Sequence, residues 1–295
     1  MHELWEKNGL IDKREWGKLI DSCKQNNFTG TKKEAQTKLQ ELLLSSVRKR
    51  LPAHKFGIFF SGGVDSTFIA AACKLLKGNF VCYAVGFQDE TKEPDDIVEA
   101  KRVAEKLGFE LKYKIFNLEE AKNIITKTVN ILQKVERTDV VNVGVGSVVV
   151  AAAELGLQDG ITHFFSGLGS EEIFAGYERH EKASDVCEEC WSGLKNMWSR
   201  DLVRDFALAK ELGITINTPF LDKELIEFSM TLPSEWKLVD NKKKVILREV
   251  AEEFLGEFAW RKKKAAQYGS CFDKAISKLA RSEGFTLKKE WLDTL

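Results

Sequence analysis

A short apolar run that leads straight into a glycine turn constrains this chain more than any other segment. Residues 56–60 read Phe-Gly-Ile-Phe-Phe, which is typical of a buried strand, and Ser61-Gly-Gly-Val-Asp-Ser66 follows at once. Glycines let successive backbone N–H groups face one concavity, and a helix that begins near Ser66 adds the positive end of its dipole. The sequence therefore predicts a strand–turn–helix unit that binds a di- or triphosphate.

Strand and helix patterns alternate after this turn. The predicted helices cover residues 67–76 and 95–107, and the predicted strands cover 79–87, 110–116 and 160–165. Strands joined by helical crossovers are typical of a parallel sheet with helices on both faces. Ligands bind at the carboxyl ends of such strands, so we expect the first turn and a second glycine loop, Ser166-Gly-Leu-Gly-Ser-Glu-Glu172, to border one crevice.

The segments on either side of this α/β pattern are predicted to be helical. Residues 11–51 have apolar residues at helical spacing, with Thr31 as a capping residue before Glu34. Strand signals are few after Cys187. We therefore expect an α/β core at 53–185, a helical leader at 1–52 and a helical part at 186–295 that closes one side of the crevice.

Composition narrows the class of protein. Lys plus Arg and Asp plus Glu are equal at 45 each, so no global charge draws the chain to nucleic acid or an anionic membrane. We find no apolar run that approaches bilayer length and no signal-peptide pattern, which predicts a cytoplasmic protein. The scattered cysteines predict a reduced protein, and Cys187-Glu-Glu-Cys190 is more typical of two cysteines one helical turn apart than of a zinc or redox site.

The first glycine turn is not the P-loop of kinases, because no Lys-Ser or Lys-Thr follows the glycines. It resembles the signature of the ATP pyrophosphatase family. That resemblance implies a loop that grips the β- and γ-phosphates while an acceptor attacks the α-phosphorus, which leaves an adenylated intermediate and pyrophosphate. A carboxylate among N–H donors would repel phosphate unless a hard cation lay between them, so Asp65 is predicted to bind Mg²⁺. The alternative is a tight turn with a solvent-facing aspartate.

Four further segments resemble, in order, the synthetase domain of the asparagine synthetase family. They are Tyr83-Ala-Val-Gly-Phe87, Ser166-Gly-Leu-Gly-Ser-Glu-Glu-Ile-Phe-Ala-Gly-Tyr177, Thr218-Pro-Phe-Leu-Asp222 and Trp260-Arg-Lys-Lys263. With the first turn, the resemblance covers residues 55–275. The segment Ala265-Ala-Gln-Tyr-Gly-Ser270 is similar to the divergent branch called asparagine synthetase domain-containing proteins. The implied fold is adenine nucleotide α-hydrolase-like, of the ATP pyrophosphatase type.

The resemblance implies an ATP and Mg²⁺ site. Asp65 and Glu171 would form the magnesium pair, with Glu171 where the family has aspartate, and Lys263 would neutralise charge on the α-phosphate and the departing pyrophosphate. For Lys263 the alternative is a solvated basic face. These three residues form the implied catalytic set. The implied ATP-binding residues are Phe60, Ser61, Gly62, Gly63, Asp65, Ser66, Val85, Gly86, Ser166, Gly167 and Lys263.

The chain departs from the family on the acceptor side. Leu168 stands where asparagine synthetases have a glutamate thought to take a proton from ammonia, and leucine is no base. Arginines of the family are also missing from 139–144 and 216–218. The activating half of the reaction is thus better supported than aspartate as the activated acid. The remaining acids that could act as a base, although each is more typical of a helix end or ion pair, are Glu136, Asp139 and Glu172.

Relatives that take nitrogen from glutamine begin Met-Cys, whereas this chain has His2 and about fifty residues before the core. Nitrogen would then come from ammonia, a separate glutaminase subunit or a substrate amine. Aspartate and ammonia are the expected small-molecule substrates of an amide-forming ligase. The alternatives are an RNA-modifying pyrophosphatase that adenylates a base carbonyl, which the zero net charge disfavours, and a nucleotide-binding regulatory protein without turnover. A homodimer stays open.

Overall fold

The computed structural model of this chain describes residues 5, 6, 9–88, 92–262 and 264–295. The strands are β1 Trp5–Glu6, β2 Gly9–Leu10, β3 Phe56–Phe59, β4 Phe80–Phe87, β5 Leu111–Phe116, β6 His163–Phe165, β7 Thr215–Asn217, β8 Leu238–Val239 and β9 Lys242–Lys243. The helices are α1 Lys13–Ser22, α2 Lys32–Arg48, α3 Val64–Leu75, α4 Asp95–Leu107, α5 Leu118–Gln133, α6 Val140–Leu157, α7 Ser170–Ile173, α8 Glu178–Glu181, α9 Val186–Met197, α10 Val203–Leu212, α11 Lys223–Thr231, α12 Ser234–Lys237, α13 Val245–Leu255, α14 Ala266–Gly269, α15 Phe272–Ser282 and α16 Lys288–Leu292.

A five-stranded parallel sheet in the order β5-β4-β3-β6-β7 organises the molecule. The chain starts at the centre with β3, moves outward through β4 and β5, and then returns to place β6 on the other side of β3. Gly57 of β3 pairs with Phe164 of β6, so the two strands end next to each other. The winding direction changes at this point, which is where α/β sheets of this kind bind ligands.

Both faces of the sheet are covered by helices. Along β4, Cys82 and Ala84 belong to one apolar core, whereas Val81, Tyr83 and Val85 belong to the other. A central strand of a parallel sheet is buried on both faces and therefore reads as an unbroken apolar run, as 80–87 does. The expected fold class, a parallel sheet with helices on both faces, is confirmed.

Helix α6 contradicts the expectation that no apolar run approaches bilayer length. By length and composition this 18-residue helix would qualify as a membrane span. Within the protein, however, 56% of it is buried, as in the core helix of a soluble protein. Its first turn is capped by Asp139, whose carboxylate accepts hydrogen bonds from the backbone of Val141 and Asn142.

The span 11–51, which was expected to be helical, contains the helices α1 and α2, whereas the expected helical leader at 1–52 also includes the antiparallel strands β1 and β2. The predicted cap of α2 is confirmed, since Thr31 and Glu34 form a reciprocal capping box. The end of α2 is tied to the carboxyl-terminal part, because Arg50 lies 2.9 Å and Lys49 3.2 Å from the carboxylate of Asp222.

The carboxyl-terminal part contains more strand structure than the sequence indicated. Strand β7 extends the central sheet beyond β6, and β8 and β9 form an antiparallel hairpin. Residues after 186 therefore contribute to the same sheet as the α/β core, and the proposed division at 52 and 185 stays a prediction.

Candidate functional site

The first glycine loop leaves the end of β3 and enters α3 with uncapped backbone donors. Gly62 has φ +66°, a conformation that favours glycine. Gly63 precedes α3 without a side-chain cap, so the N–H groups of the first helical turn have no capping side chain. The loop is backed by α4, since a Cβ built on Gly62 would lie 3.0 Å from the carbonyl of Glu99. This geometry suits an anion at the start of α3.

The two serines of this loop are only weakly engaged with each other. The hydroxyls of Ser61 and Ser66 lie 3.4 Å apart, and Gly63 N–H donates to Ser61 Oγ at 3.4 Å. These distances are at the outer limit for hydrogen bonds. Both hydroxyls can therefore turn to a ligand at little cost.

The second glycine loop starts beside the first, at the end of β6. Ser166 N–H donates to the carbonyl of Asn217 at 2.9 Å, which continues the pairing between β6 and β7. A Cβ built on Gly167 would lie 2.9 Å from the Cβ of Asp65. The two loops are thus in direct contact, and a side chain at position 167 would force them apart.

A lysine that the sequence analysis did not single out joins the two loops. Lys244 Nζ lies 2.9 and 2.8 Å from the carboxylate oxygens of Asp65, 2.7 Å from Oε1 of Glu171 and 3.0 Å from Oγ of Ser170. Lys244 precedes α13 in a left-handed conformation, φ 59°, directly after the hairpin of β8 and β9. The only sequence signal was the basic run 242–244, which indicated local charge and no contact.

Lys244 is a buried cation that lies between two carboxylates. The side chain of Lys244 is 5% exposed, that of Asp65 15% and that of Glu171 36%. Burial alone would lower the pKa of Lys244, but the two carboxylates outweigh burial and raise the pKa. One ammonium thus faces two carboxylates, and the guanidinium of Arg248 lies close enough to interact electrostatically with both.

The residues fit a magnesium ion held together with phosphates. Glu171 Oε2 is buried without a hydrogen-bond partner, and a Cβ at Gly176 would lie 1.6 Å from this atom. Across the described residues, no three His, Cys, Asp or Glu side chains group to hold a metal. Mg²⁺ is usually bound by one or two carboxylates plus substrate phosphates and water, so Asp65 and Glu171 are a sufficient protein contribution.

The residue after Glu171 belongs to a buried charge network beside the site. Glu172 is fully buried and accepts a hydrogen bond from Arg200, which lies in a π-helical turn at Trp198–Leu202. Burial and the nearby Asp201 raise the pKa of Glu172 to about 7, although the charge of Arg200 opposes this shift. Tyr177, whose ring faces Arg200 at 5.2 Å, also borders the network.

Apart from Lys263, the predicted nucleotide residues outside the two glycine loops lie in β4 or directly after β3. Phe60 and Val85 are buried, the latter in the core on the α6 side of the sheet. A Cβ on Gly86 would lie 2.7 Å from Pro94, so this glycine permits close packing of the segment before α4. Lys263 lies outside the described residues, and its predicted role stays a prediction.

The other residues singled out in the sequence lie at a helix end, on the surface, against the core or on α9. Asp139 caps α6. Glu136 is exposed and has φ 55°. Leu168 packs against the apolar core that contains α3. Cys187 and Cys190 lie one turn apart on α9, and all six cysteines are free, as expected for a reduced protein.

Comparison with known proteins identifies the family. Residues 38–187 and 181–287 match the family model described as asparagine synthase. A putative glutamine-hydrolysing asparagine synthetase of Methanocaldococcus jannaschii is 32% identical over 304 residues, which covers 89% of this chain and 55% of that protein. The glutamine-hydrolysing asparagine synthetase of Cricetulus griseus is 31% identical over 85% of this chain and 46% of its own length.

Solved structures show a more distant likeness. The predicted subunit of a tRNA methyltransferase from Methanocaldococcus jannaschii has a TM-score of 0.38 and 17% identity, with 80% of this chain and 91% of that chain covered. An NH3-dependent NAD synthetase from Campylobacter jejuni has a TM-score of 0.33 and 17% identity, with 63% and 93% covered. The chain spans about half the length of the curated relatives that it matches. From the extent of the family match, the chain belongs to the asparagine synthase family.

Proposed function

We propose that this protein is an ATP-dependent amide-forming ligase that adenylates a carboxylate, releases pyrophosphate and transfers the acyl group to nitrogen. One observation carries the proposal: the two glycine loops touch, at Gly167 and Asp65, where the sheet reverses its winding. A nucleotide held by both loops would place its phosphates at the uncapped start of α3. Membership in the asparagine synthase family supports the same reaction type.

Residues of the two glycine loops would bind ATP and Mg²⁺, and two lysines would balance the negative charge. The loop of Ser61, Gly62, Gly63 and Ser66 would bind the β- and γ-phosphates, while Val85, Ser166 and Gly167 would frame the adenosine. Asp65 and Glu171 would hold Mg²⁺, which when bound supplies positive charge against the phosphate oxygens. Lys244 keeps both carboxylates in place, and Lys263 would oppose the charge that develops on pyrophosphate.

In the first step a carboxylate oxygen attacks the α-phosphorus, the bond between the α-phosphorus and the bridging oxygen breaks, and pyrophosphate leaves. In the second step nitrogen attacks the acyl carbon, the bond to AMP breaks, and nitrogen loses a proton. Leu168 cannot accept this proton. Glu172 lies beside the site but is buried against Arg200.

Aspartate is the proposed acid and ammonia the proposed nitrogen source, either free or delivered by a separate glutaminase subunit. The protein is proposed to act in the cytoplasm. The test is to incubate it with Mg-ATP, ammonium and a panel of amino acids and to quantify AMP and pyrophosphate. Release that depends on aspartate supports the proposal. Release that depends only on tRNA supports an RNA-modifying pyrophosphatase instead, and no release with any acceptor supports a regulatory nucleotide-binding protein.

A further inference from the structure

An arginine outside the predicted site residues contacts the backbone of the phosphate loop. Nη1 of Arg261 donates to the carbonyl oxygen of Ser61 at 3.0 Å. Its Nε lies 3.5 Å from the carboxylate of Glu99, and Nη2 lies 3.9 Å from that of Asp96. The side chain of Arg261 is only 13% exposed, so its guanidinium is fixed between the loop and α4.

This contact determines how one peptide group of the loop is oriented. The peptide bond between Ser61 and Gly62 is trans, so its carbonyl oxygen and its N–H point in opposite directions. Because Arg261 holds the carbonyl, the N–H of Gly62 points away from the guanidinium. A peptide next to glycine can rotate at low cost, since glycine populates both signs of φ. Without Arg261 this peptide would be free to turn its carbonyl toward a phosphate.

The backbone of Arg261 is itself held in place. Nη1 of Arg248 donates to the carbonyl of Ala259 at 2.6 Å and to that of Arg261 at 3.0 Å, and Nε of Arg248 donates to the backbone carbonyl of Lys243 at 2.8 Å. Arg248 belongs to α13, the helix that Lys244 precedes. The lysine between the two carboxylates and the arginine on the phosphate loop are therefore braced by the same helix.

We propose that Arg261 is a positioning residue that turns the N–H of Gly62 into the phosphate cradle. It acts through the loop backbone and needs no direct contact with the nucleotide. This inference rests on the proposed function. Arg261 should raise the affinity for ligands that carry β- and γ-phosphates but not the affinity for AMP. The reason is that the Gly62 peptide belongs to the part of the site proposed for pyrophosphate.

The test compares nucleotide affinities of the folded full chain by calorimetry, with Mg-ATP and with AMP. In Arg261→Gln we expect ATP affinity to fall on the order of tenfold or more, as for loss of a hydrogen bond to a charged group, while AMP affinity stays within about twofold. Arg102→Gln is the matched control. Arg102 also pairs with Glu99 but is 57% exposed, so both affinities should change by less than about twofold.

A rescue variant strengthens the test. In Arg261→Lys one ammonium can reach the Ser61 carbonyl but not both carboxylates, so ATP affinity should lie between that of the wild type and that of Arg261→Gln. If Arg261→Gln does not fold, Arg261→Lys decides: a selective loss of ATP affinity supports the inference, and unchanged affinity overturns it. Equal losses for ATP and AMP also overturn it.

The wild-type protein separates the two proposals. If it does not bind ATP, both the proposed function and the role of Arg261 fail. If it binds ATP more tightly than AMP and Arg261→Gln keeps that preference, only the role of Arg261 fails.

Discussion

Lys244 donates to both carboxylate oxygens of Asp65, at 2.9 and 2.8 Å, although 179 residues separate them in sequence. Asp65 belongs to the first glycine loop, and Glu171 of the second loop lies 2.7 Å from the same ammonium. The lysine therefore neutralises part of the repulsion that two neighbouring carboxylates would otherwise exert on the two loops.

Lys244→Met should destabilise the protein. We expect a loss of about 2–4 kcal/mol in the free energy of unfolding, somewhat below the range for fully buried pairs because Glu171 is 36% exposed. Urea unfolding with and without Mg²⁺ measures this loss. A divalent cation that binds the two carboxylates should stabilise Lys244→Met more than the wild type.

The control for this experiment is Lys243→Met. Lys243 is the preceding residue, and its ion pair with Glu181 is 28% and 24% exposed. Lys243→Met should lose less unfolding free energy than Lys244→Met, and Mg²⁺ should stabilise it no more than the wild type. If Lys244→Met and Lys243→Met respond equally to Mg²⁺, the carboxylate pair is not the cation site.

Gly167→Ala should separate the two loops. The added Cβ would lie 2.9 Å from the Cβ of Asp65, closer than real Cβ atoms approach. We expect ATP affinity to fall on the order of tenfold, with a stability cost of about 1–3 kcal/mol from overpacking. Gly17→Ala in α1 is the control, because a Cβ there has nothing within 4 Å and should stabilise the helix by about 0.5–1 kcal/mol. Unchanged ATP affinity in Gly167→Ala would argue against a shared nucleotide site.

Asp222→Asn should lower the stability of the protein at neutral pH and make that stability less sensitive to acid. Burial alone would raise the pKa of Asp222, but Arg50 and Lys49 lower it below the usual value. A carboxyl group with a lowered pKa stabilises the fold above its ordinary pKa, near 4, and this contribution is lost as pH falls through the folded pKa. The free energy of unfolding of the wild type should exceed that of Asp222→Asn by about 1–3 kcal/mol at pH 7. Urea unfolding at a series of pH values should show this difference shrinking toward pH 3.

Glu224→Gln is the matched control for Asp222. Glu224 shares Lys49 as its partner but is 61% exposed. Exposed pairs contribute about 0–1 kcal/mol, so this variant should resemble the wild type. A difference between the wild type and Asp222→Asn that does not vary with pH would contradict the role given to the charge of Asp222.

Lys237→Met should stabilise the protein. Lys237 is fully buried, and its Nζ lies 4.0 Å from the sulfur of Met230. Burial lowers the pKa of Lys237. Replacement of this buried, poorly solvated amino group by an apolar side chain of similar size is expected to be neutral or to add about 1–4 kcal/mol at pH 7.

The pH dependence identifies this effect. Between the lowered pKa of folded Lys237 and the ordinary lysine value near 10.4, the unfolded chain binds more protons, so wild-type stability rises with pH. The advantage of Lys237→Met should therefore shrink as pH approaches 10. Lys242→Met, at an exposed position, should show no such trend. A parallel pH dependence of Lys237→Met and wild type would contradict the argument.

The glycine loops were predictable because glycine, serine and carboxylate residues follow directly after apolar strands. Such a strand–turn–helix unit is formed by residues that are adjacent in sequence. Strand β7 was not predictable, since Thr215–Asn217 is too short to show alternation. Helix α6 is rich in valine and glycine, residues that do not favour helix; its burial between the sheet and other helices overrides that preference.

The contacts of Lys244 and Arg261 could not be read from the sequence either. Each depends on a segment far along the chain being brought back to the first loop, across 179 residues for Lys244 and 200 for Arg261. The basic runs 242–244 and 261–264 indicate local positive charge, but they do not indicate which groups the side chains contact. Family resemblance pointed to Lys263 in the second run, which lies outside the described residues, and the structure adds that Arg261, two positions earlier, contacts the loop.

The late arrival of Lys244 has a consequence for the growing polypeptide. A chain that ends before the β8–β9 hairpin already contains both glycine loops, yet Asp65 and Glu171 would face each other with no internal ammonium. Until Lys244 has been added during synthesis, the two glycine loops would therefore carry carboxylates that no buried lysine offsets. The segment that carries Lys244 thus contributes to the charge balance of both glycine loops, and a fragment that ends before it should bind cations at these loops more readily than the full chain.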